Sequence, residues 1–580
     1  MAREKKWISE KYLKLWERFG QREFESEEAA KFLKQLNLIG DEKSINQIIV
    51  ELKKLELIET IQHPTDPRKV LYRLKPLIKP QVVARDELIT ILKKAADIIR
   101  TRVSYEFILV LLFLKRLSDK WEYEYRKTVE ALKKEGLSEE ETKEEAKKPE
   151  WHSGFDIPEW CLWKNIRKET ERLPEKLSSV MKELAKRNPD LRDIFERVDF
   201  MQFASNPENK EILRQLVEVF SEKSLEEVSP DVLGDAYEWI LSYFAPQKAK
   251  EGEVYTPREV IRLMVEILDP KQNSSIYDPA CGSGGMLIIS YNYMKEKYGN
   301  VKASLYGQEV NPLTLALAKM NLILHGIIDY HLELGDTLLY PRFKENGSLK
   351  KFDICLTNPP WNQDGYGEET LKKGEFWRER FKYGFPPRQS ADWAWIQHLL
   401  ASTKENGKAA IVIDNGCLFR GGKEKAIRAK IVDKDLIECV ILLPEKLFYN
   451  TGAPGVIIVF NKDKPSDRKR KILFINASNE YAQHPEVRRL NMLSKENIEK
   501  IVKAYREFKD IEGFSRVVDM EEVKNNDYNL NVTLYVFPME KEEEIDVVKE
   551  YQELLNLENE RNQIENQIKM YLDEISKVLK

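Results

Sequence analysis

The sequence predicts an α/β chain in which a doubly wound, Rossmann-like sheet domain lies between helical regions. Three observations predict it. Across residues 246–480, apolar strand-like runs ("SSIYDPA", "ASLYGQE", "FDICLT", "GKAAIVID", "LIECVILLP", "GVIIVFN", "KILFINA") alternate with amphipathic stretches such as "NPLTLALAKMNLILHG". This βαβ rhythm predicts a sheet with helices on both faces. A glycine-rich turn follows the first of those runs. On either side, at 81–245 and 481–580, the alternation gives way to helical spacing.

Residues 1–80 predict a winged-helix-like module of three helices and a hairpin. In "SINQIIVELKKLELI", Ser44 suits an N-cap, and Ile45, Ile48, Ile49, Leu52 and Leu55 recur at helical spacing. "LIETIQH" and "VLYRL" flank the turn-rich "PTDPRK". Such a module grips DNA or docks protein. Glu51 beside Lys53 and Lys54 favours docking or a structural role.

Residues 81–245 predict a helical domain, opened by "DELITILKKAADIIRTRVSYEFILVLLFLKRLSDKWEYEY", where apolar and charged faces alternate without a proline. Trp151, Trp160 and Trp163 are expected in its core. In the helical tail, 481–580, a series runs Leu554, Leu557, Arg561, Ile564, Ile568, Tyr571, Ile575 and Val578. Its three-four stepping suits a helix that packs on another, inside this chain or on a partner.

With 580 residues, the chain is long enough for several domains. Its 94 Lys and Arg against 98 Asp and Glu give a net charge of −4. That excludes a strongly basic, free-standing nucleic-acid binder; any basic surface is local, or a partner supplies the grip. "MAREKKWISE" has no apolar signal region, and the longest apolar run, "FILVLLFL", is too short to cross a bilayer. Five cysteines form no CxxC pair and six histidines show no zinc spacing. No metal is expected, and a cytoplasmic location is.

Candidate chemistry sits at the strand ends, where doubly wound sheets bind ligands. The first strand ends in "YDPACGSGGML", carrying Asp278, Ala280, Gly282, Ser283, Gly284 and Gly285. Glycines allow close approach to the backbone, and the following helix offers free N–H groups. The turn is neither a Walker A loop nor a GxGxxG loop. The second ends in "YGQEVNP": Glu309 can accept both hydroxyls of a ribose, or simply neighbour a helix cap. The third gives "LELGDTLLY", where Asp336 can accept from an adenine amine or serve ordinary turn chemistry. The fourth ends in "TNPPW". Its prolines must end the strand, either as a rigid loop with Trp361 as a plug or as a stiff site presenting an amide and a carbonyl to a flat ring. Upstream, "EGEVYTPREVIRLMVEIL" places Tyr255 and Thr256 before a helix with Pro257 near its first position, as cofactor contacts or as a plain cap.

In this order and spacing, "YTPREVIRLMV", "DPACGSGGML", "GQEVNP", "GDTL" and "NPPW" resemble the successive motifs of the S-adenosylmethionine-dependent amino-methyltransferases of DNA. They are most similar to the modification subunit of type I restriction-modification systems. "ILKKAADIIR" with "ILVLLFLKRLSD" resembles that family's N-terminal helical domain, and "NNDYNLNVTLYV" its C-terminal signature. Trp361 departs from the family's usual Phe or Tyr but keeps an aromatic face.

The resemblance implies S-adenosyl-L-methionine as cofactor. Glu253, Val254, Tyr255, Thr256, Pro257 and Arg258 would border its methionine end. Asp278, Ala280, Gly282 and the Ser283-Gly284-Gly285 turn would lie beneath it. Glu309 would hold the ribose and Asp336 the adenine. Asn358, Pro359, Pro360 and Trp361 would form the catalytic site for N6 methylation of a flipped adenine in double-stranded DNA. The implied partners are a specificity subunit, a second copy of this chain and a restriction subunit, with no membrane. The tail helix is the candidate docking element. Competing readings are an RNA or protein-glutamine N-methyltransferase, against which the large helical domain and the "DYNLN" tail count, and a silent scaffold.

Overall fold

Helical spacing of apolar residues and a β-hairpin build the N-terminal module. The computed structural model describes residues 11–537 and 547–578, apart from 13, 16–17, 20–22, 37, 40–43, 55–56, 63–69, 75–84, 100–103, 136, 153–154, 170, 197, 251–255, 450, 485–486 and 488. One compact unit comprises Met1–Leu88 with Lys223–Val228. It contains β1 (Phe24–Glu25), α1 (Ser26–Gln35), α2 (Ser44–Lys54), β2 (Ile58–Gln62) and β3 (Val70–Leu74). The antiparallel sheet has the order β1-β3-β2. Ile45, Ile48, Ile49 and Leu52 are buried with Ala29, Leu33, Ile58 and Leu74. Helix α2 begins at Ser44 itself; Leu55 and the "PTDPRK" turn lie outside the described residues.

Ile89–Glu222 and Ser229–Lys580 form the second unit. Its helical part includes α3 (Glu106–Lys134), α4 (Leu173–Arg187), α5 (Pro207–Phe220) and α6 (Pro230–Lys250). The run Ile108–Leu114 on α3 is buried throughout, and Leu177, Val180, Met181 and Leu184 turn one stripe of α4 inward. Of the three tryptophans expected in this core, Trp163 is buried and donates through Nε1 to Ser221 Oγ at 2.9 Å. Trp151 and Trp160 are exposed instead, because each rides a short surface 3-10 turn; Lys176 covers the Trp160 ring. Among the described residues no helix is long and apolar enough to cross a membrane.

The sheet is built from β4 (Ser274–Asp278), β5 (Ala303–Glu309), β6 (Tyr330–Leu334), β7 (Phe352–Thr357), β8 (Thr403–Asp414), β9 (Ile437–Leu442), β10 (Gly455–Asn461), β11 (Lys471–Asn476) and β12 (Ser515–Asp519). The order of its nine strands is β12-β11-β9-β10-β8-β7-β4-β5-β6. Strands β6, β5, β4, β7 and β8 run parallel. Around it lie α7 (Arg258–Leu268), α8 (Gly285–Tyr298), α9 (Pro312–Leu324), α10 (Asp392–Ala401), α11 (Gly422–Asp433) and α12 (Lys495–Glu507). Successive strand residues face opposite ways. Ile354 and Leu356 therefore join the core formed with α7, α8 and α12, whereas Cys355 joins the core formed with α10 and α11. Two buried faces explain why these strands read as unbroken apolar runs.

The expectation of a helical region from residue 481 needs correction. Ser515–Asp519 pairs antiparallel with β11, from Lys471↔Asp519 to Ile475↔Ser515, so the sheet continues past residue 480. Leu530, Val532, Tyr535 and Val536, from the "NNDYNLNVTLYV" segment, pack in the core beside α10 and α11. The pairing is set by the partner strand rather than by this segment's own alternation. The last helix, α13 (Val547–Val578), is helical as expected.

Candidate active site

The chain runs from β4 outward through β5 and β6, then returns to lay β7 and β8 on the other side of β4. The reversal lies between β4 and β7, and a crevice forms outside the carboxyl ends of strands at such a point. Asp278 ends β4, Glu309 ends β5, and Asn358 directly follows β7. Asp278, Ala280, Gly282, Ser283, Gly285, Thr256 and Asn358 line one narrow cleft there.

The glycine turn is shaped by backbone demands. Gly282 has φ +51° and Gly284 φ +85°, both in the left-handed region that disfavours a side chain. A Cβ on Gly282 would meet nothing within 4 Å, so its backbone faces open space. Gly284 caps α8, which begins at Gly285. Glu309 holds the turn from the neighbouring strand: Oε2 accepts from Gly282 N at 3.1 Å and Oε1 from Asn311 N at 2.8 Å. Burial pushes the Glu309 carboxyl up, and the backbone N–H groups of Asn311, Gly282 and Val310 pull it back.

Asp278 is buried. Its Oδ1 accepts from Thr357 Oγ1 at 2.7 Å and from Ala280 N at 3.0 Å. Burial pushes its carboxyl up to about 7, against the two hydrogen bonds, with the Glu309 charge adding to the rise. This acid therefore titrates near neutrality.

Asn358 is held from both sides. Trp361 Nε1 donates to its Oδ1 at 2.8 Å, and its Nδ2 donates to Thr256 Oγ1 at 2.8 Å. Indole nitrogen only donates, so the oxygen of the amide must face Trp361. Pro359 is buried and Pro360 exposed. The Trp361 ring meets Phe448 edge-on, at 4.9 Å between centroids. Beyond it, Asn362 has φ +51°, and its N–H donates to Asp392 Oδ1 at 2.9 Å.

The remaining expected residues divide. Pro257 caps α7 and is buried, one position earlier than expected. Arg258 points elsewhere: it pairs with Asp235 at 3.3 Å and lines a separate charged cavity of about 860 Å³. Glu253, Val254 and Tyr255 lie outside the described residues. Asp336 is engaged as turn chemistry, with Oδ1 accepting from Leu338 N at 2.9 Å and Leu339 N at 3.2 Å. Its Oδ2 accepts from Tyr366 O–H at 2.7 Å.

One cleft residue, Glu238, and the Asn321 that holds it leave no motif in the sequence. Glu238 on α6 is buried, lines the cleft, and accepts from Asn321 Nδ2 at 2.6 Å. Asn321 also donates to Ser283 O at 3.0 Å, linking the helical part to the glycine turn. The only signal for Glu238 was an acid inside the apolar run "DAYEWILSYF". Among the described residues no cluster of His, Cys, Asp and Glu could hold a metal ion.

A cofactor with a cationic end, a ribose and an adenine fits this donor set: a carboxylate in the cleft, a glycine cradle and an acid at the second strand end. Residues 228–544 match the N-6 DNA methylase family, and residues 89–220 match the HsdM N-terminal domain. The chain is 46% identical over 578 residues to the type I restriction enzyme MjaVIII methylase subunit of Methanocaldococcus jannaschii, covering 98% of this chain and 97% of that relative. It is also 46% identical over 580 residues to the MjaVII methylase subunit of the same organism, again covering 98% and 97%. The crystal structure of the type I restriction-modification system methyltransferase subunit from Streptococcus thermophilus superposes with a TM-score of 0.69 at 28% identity. That match covers 78% of this chain and 99% of the other.

Proposed function

The chain belongs to the N-6 DNA methylase family, among the methylase subunits of type I restriction enzymes, and from that premise we propose that it transfers a methyl group from S-adenosylmethionine to the N6 amine of a flipped adenine in double-stranded DNA. It acts as the modification subunit of a complex in which a specificity subunit chooses the site, beside a second copy of this chain and a restriction subunit. The net charge of −4 supports a division of labour in which partners supply much of the DNA grip. The cytoplasm is the place of this work.

The exocyclic amine of adenine is a poor nucleophile because its lone pair is delocalised into the ring. Asn358 Oδ1 and the Pro359 carbonyl accept its two N–H groups and draw the nitrogen toward tetrahedral geometry. The prolines fix those acceptors in direction, which is preorganisation rather than acid–base power. The cofactor, when bound, supplies the activated methyl group. Asp278, Ala280, Gly282 and the Ser283–Gly285 turn form its floor. Thr256 and Pro257 would border it, Glu309 would take the ribose, and Asp336, whose Oδ2 already accepts from Tyr366 O–H, would take the adenine on a remaining lone pair. Flipping the target base costs a few kcal/mol, and stacking on Trp361 returns about 1–3 kcal/mol of it.

The observation that carries this reading is the adjacency of Asn358 and Asp278 at the reversal of the sheet, joined through Thr357. The domain division belongs to the same proposal: a winged-helix-like module, a helical domain, a catalytic domain reaching past residue 519, and a docking helix.

The test is to purify the chain with its specificity subunit, incubate it with methyl-labelled cofactor and DNA, and identify the labelled base. Asn358→Ala should abolish transfer while cofactor affinity stays within about threefold of wild type. Undiminished labelling by that variant would refute the assigned role.

A further inference from the structure

Asn358 Oδ1, the acceptor assigned to the target amine, is already an acceptor in this structure. Trp361 Nε1 donates to it at 2.8 Å. Of phenylalanine, tyrosine and tryptophan, only tryptophan carries a ring N–H; phenylalanine has no donor, and the hydroxyl of tyrosine sits at the far end of its ring.

The surroundings hold the indole in that orientation. Phe448 meets the ring edge-on at 4.9 Å with an interplanar angle of 68°. Gly455 leaves the room: a Cβ there would stand 2.9 Å from Trp361 Cη2 and 2.8 Å from Phe448 Cε2. On its other side the Asn358 amide is fixed by Thr256 Oγ1, at 2.8 Å from Nδ2. The amide thus cannot turn to offer Oδ1 elsewhere without breaking that bond.

We infer that Trp361 competes with the target amine for Asn358 Oδ1, so that a base docks by exchanging hydrogen bonds with the indole N–H. The inference rests on the methyltransferase reading above and adds a second role for this ring beside stacking. The N–H keeps a buried carbonyl paired, which an orphaned acceptor would otherwise require of water or another donor. An amide oxygen has two lone pairs and the indole N–H takes one of them; where the amine approaches along that one, a hydrogen bond is lost as another forms and the amine's net gain on docking is smaller.

The competition has a signature that stacking lacks. It concerns only bases that bring an N–H to Asn358. Trp361→Phe removes the competitor and keeps an aromatic face. The experiment measures the affinity of the complex with its specificity subunit for two duplexes. They differ only at the methylated position: adenine in one, purine, which has no exocyclic amine, in the other. Loss of stacking area affects both duplexes alike. The preference for adenine over purine should therefore rise about 2- to 12-fold in W361F relative to wild type. An unchanged or reduced preference overturns the proposal.

Should W361F fold poorly, indole ¹⁵N spectra of the wild-type complex answer the same question. The indole resonance that N358A displaces must move further on adding the adenine duplex than on adding the purine duplex, which displaces it by stacking alone. Equal displacement by the two duplexes overturns the proposal. Full methylation by N358A would instead overturn the underlying assignment of Asn358, so the two failures are distinguishable.

Discussion

Thr357 donates its hydroxyl to Asp278 Oδ1 at 2.7 Å, and both residues are buried. The bond ties the last residue of β7 to the last residue of β4 across the reversal of the sheet. The distance between Asn358 and the glycine turn is therefore set by a side-chain bond as well as by the ladder.

Thr357→Val keeps the shape and removes the donor. Asp278 then loses a hydrogen bond that favours its charged form, and its carboxyl rises further above about 7. The sign follows. An acid raised in the folded state holds its proton where the unfolded chain has released it. Its contribution to stability is complete below the ordinary carboxylate value, near about 4, and is lost as pH climbs to about 7. Cofactor affinity runs the other way, because the charged form holds a cationic ligand. Titration calorimetry should show wild-type affinity rising up to about tenfold per pH unit below neutrality and then levelling off. T357V should bind about tenfold more weakly near pH 7 and recover at higher pH. Identical, flat profiles for both proteins would remove Asp278 from the binding site.

Glu309→Gln tests the second strand end. The carboxylate accepts from Gly282 N at 3.1 Å and Asn311 N at 2.8 Å. An amide has one accepting oxygen and turns its NH₂ toward the other backbone N–H. The turn loosens and a charged acceptor for ribose hydroxyls is lost. Hydrogen bonds to charged groups contribute about 1.5–3 kcal/mol, so cofactor affinity should fall about 10- to 150-fold. Measured affinity within twofold of wild type would deny Glu309 its role.

The strand ends were legible because their demands are local. A left-handed turn needs Gly282 and Gly284, an abrupt stop needs Pro359 and Pro360, and both leave marks in the sequence. What stayed hidden depends on partners distant in the chain. "SRVVD" becomes a strand only because β11 offers it an edge. Glu238 reaches the cleft from the helical region through Asn321, 83 residues on. Asp336 finds Tyr366 30 residues later, and Arg258 finds Asp235 on the preceding helix. No periodicity encodes these meetings. The same holds for Trp151 and Trp160, whose size suggests burial while the short surface turns that carry them leave no periodic mark.

Arg420 is tied through Asp392 to the loop that follows Asn358. It bonds to Asp392, to Asp414 at 2.8 Å and to Glu424 at 2.6 Å; the Asp392 and Glu424 side chains are 0% and 2% exposed. Asp392 in turn accepts from Asn362 N, next to Trp361. Arg420→Met would leave two buried carboxylates without their cation, a loss of about 3–5 kcal/mol. The denaturant midpoint should fall accordingly, and methyl transfer should fall with it. Adding Asp392→Asn, which discharges the more deeply buried partner, should restore part of the stability. No recovery in the double variant would show that the two residues are not coupled.

The last helix carries the case for assembly. Leu554, Leu557, Ile564 and Ile568 are each more than half exposed, at 54%, 58%, 57% and 51%. They recur at the three-four spacing of a helix seam, while the side chains of Tyr571, Ile575 and Val578 lie outside the described residues. An apolar stripe of this kind supports the docking proposed for this helix. The docking assigned to this helix predicts that Leu557→Glu with Ile564→Glu weakens binding of the specificity subunit by at least about tenfold, since burying each side chain contributes about 1.5–3 kcal/mol. Cofactor affinity should not change, because every cleft residue lies on the sheet or on α6 to α9 and their connecting turns. Size-exclusion chromatography of the mixed subunits, run beside cofactor titration of the chain alone, separates the two effects. A complex that survives the double substitution intact would move the docking surface off this helix.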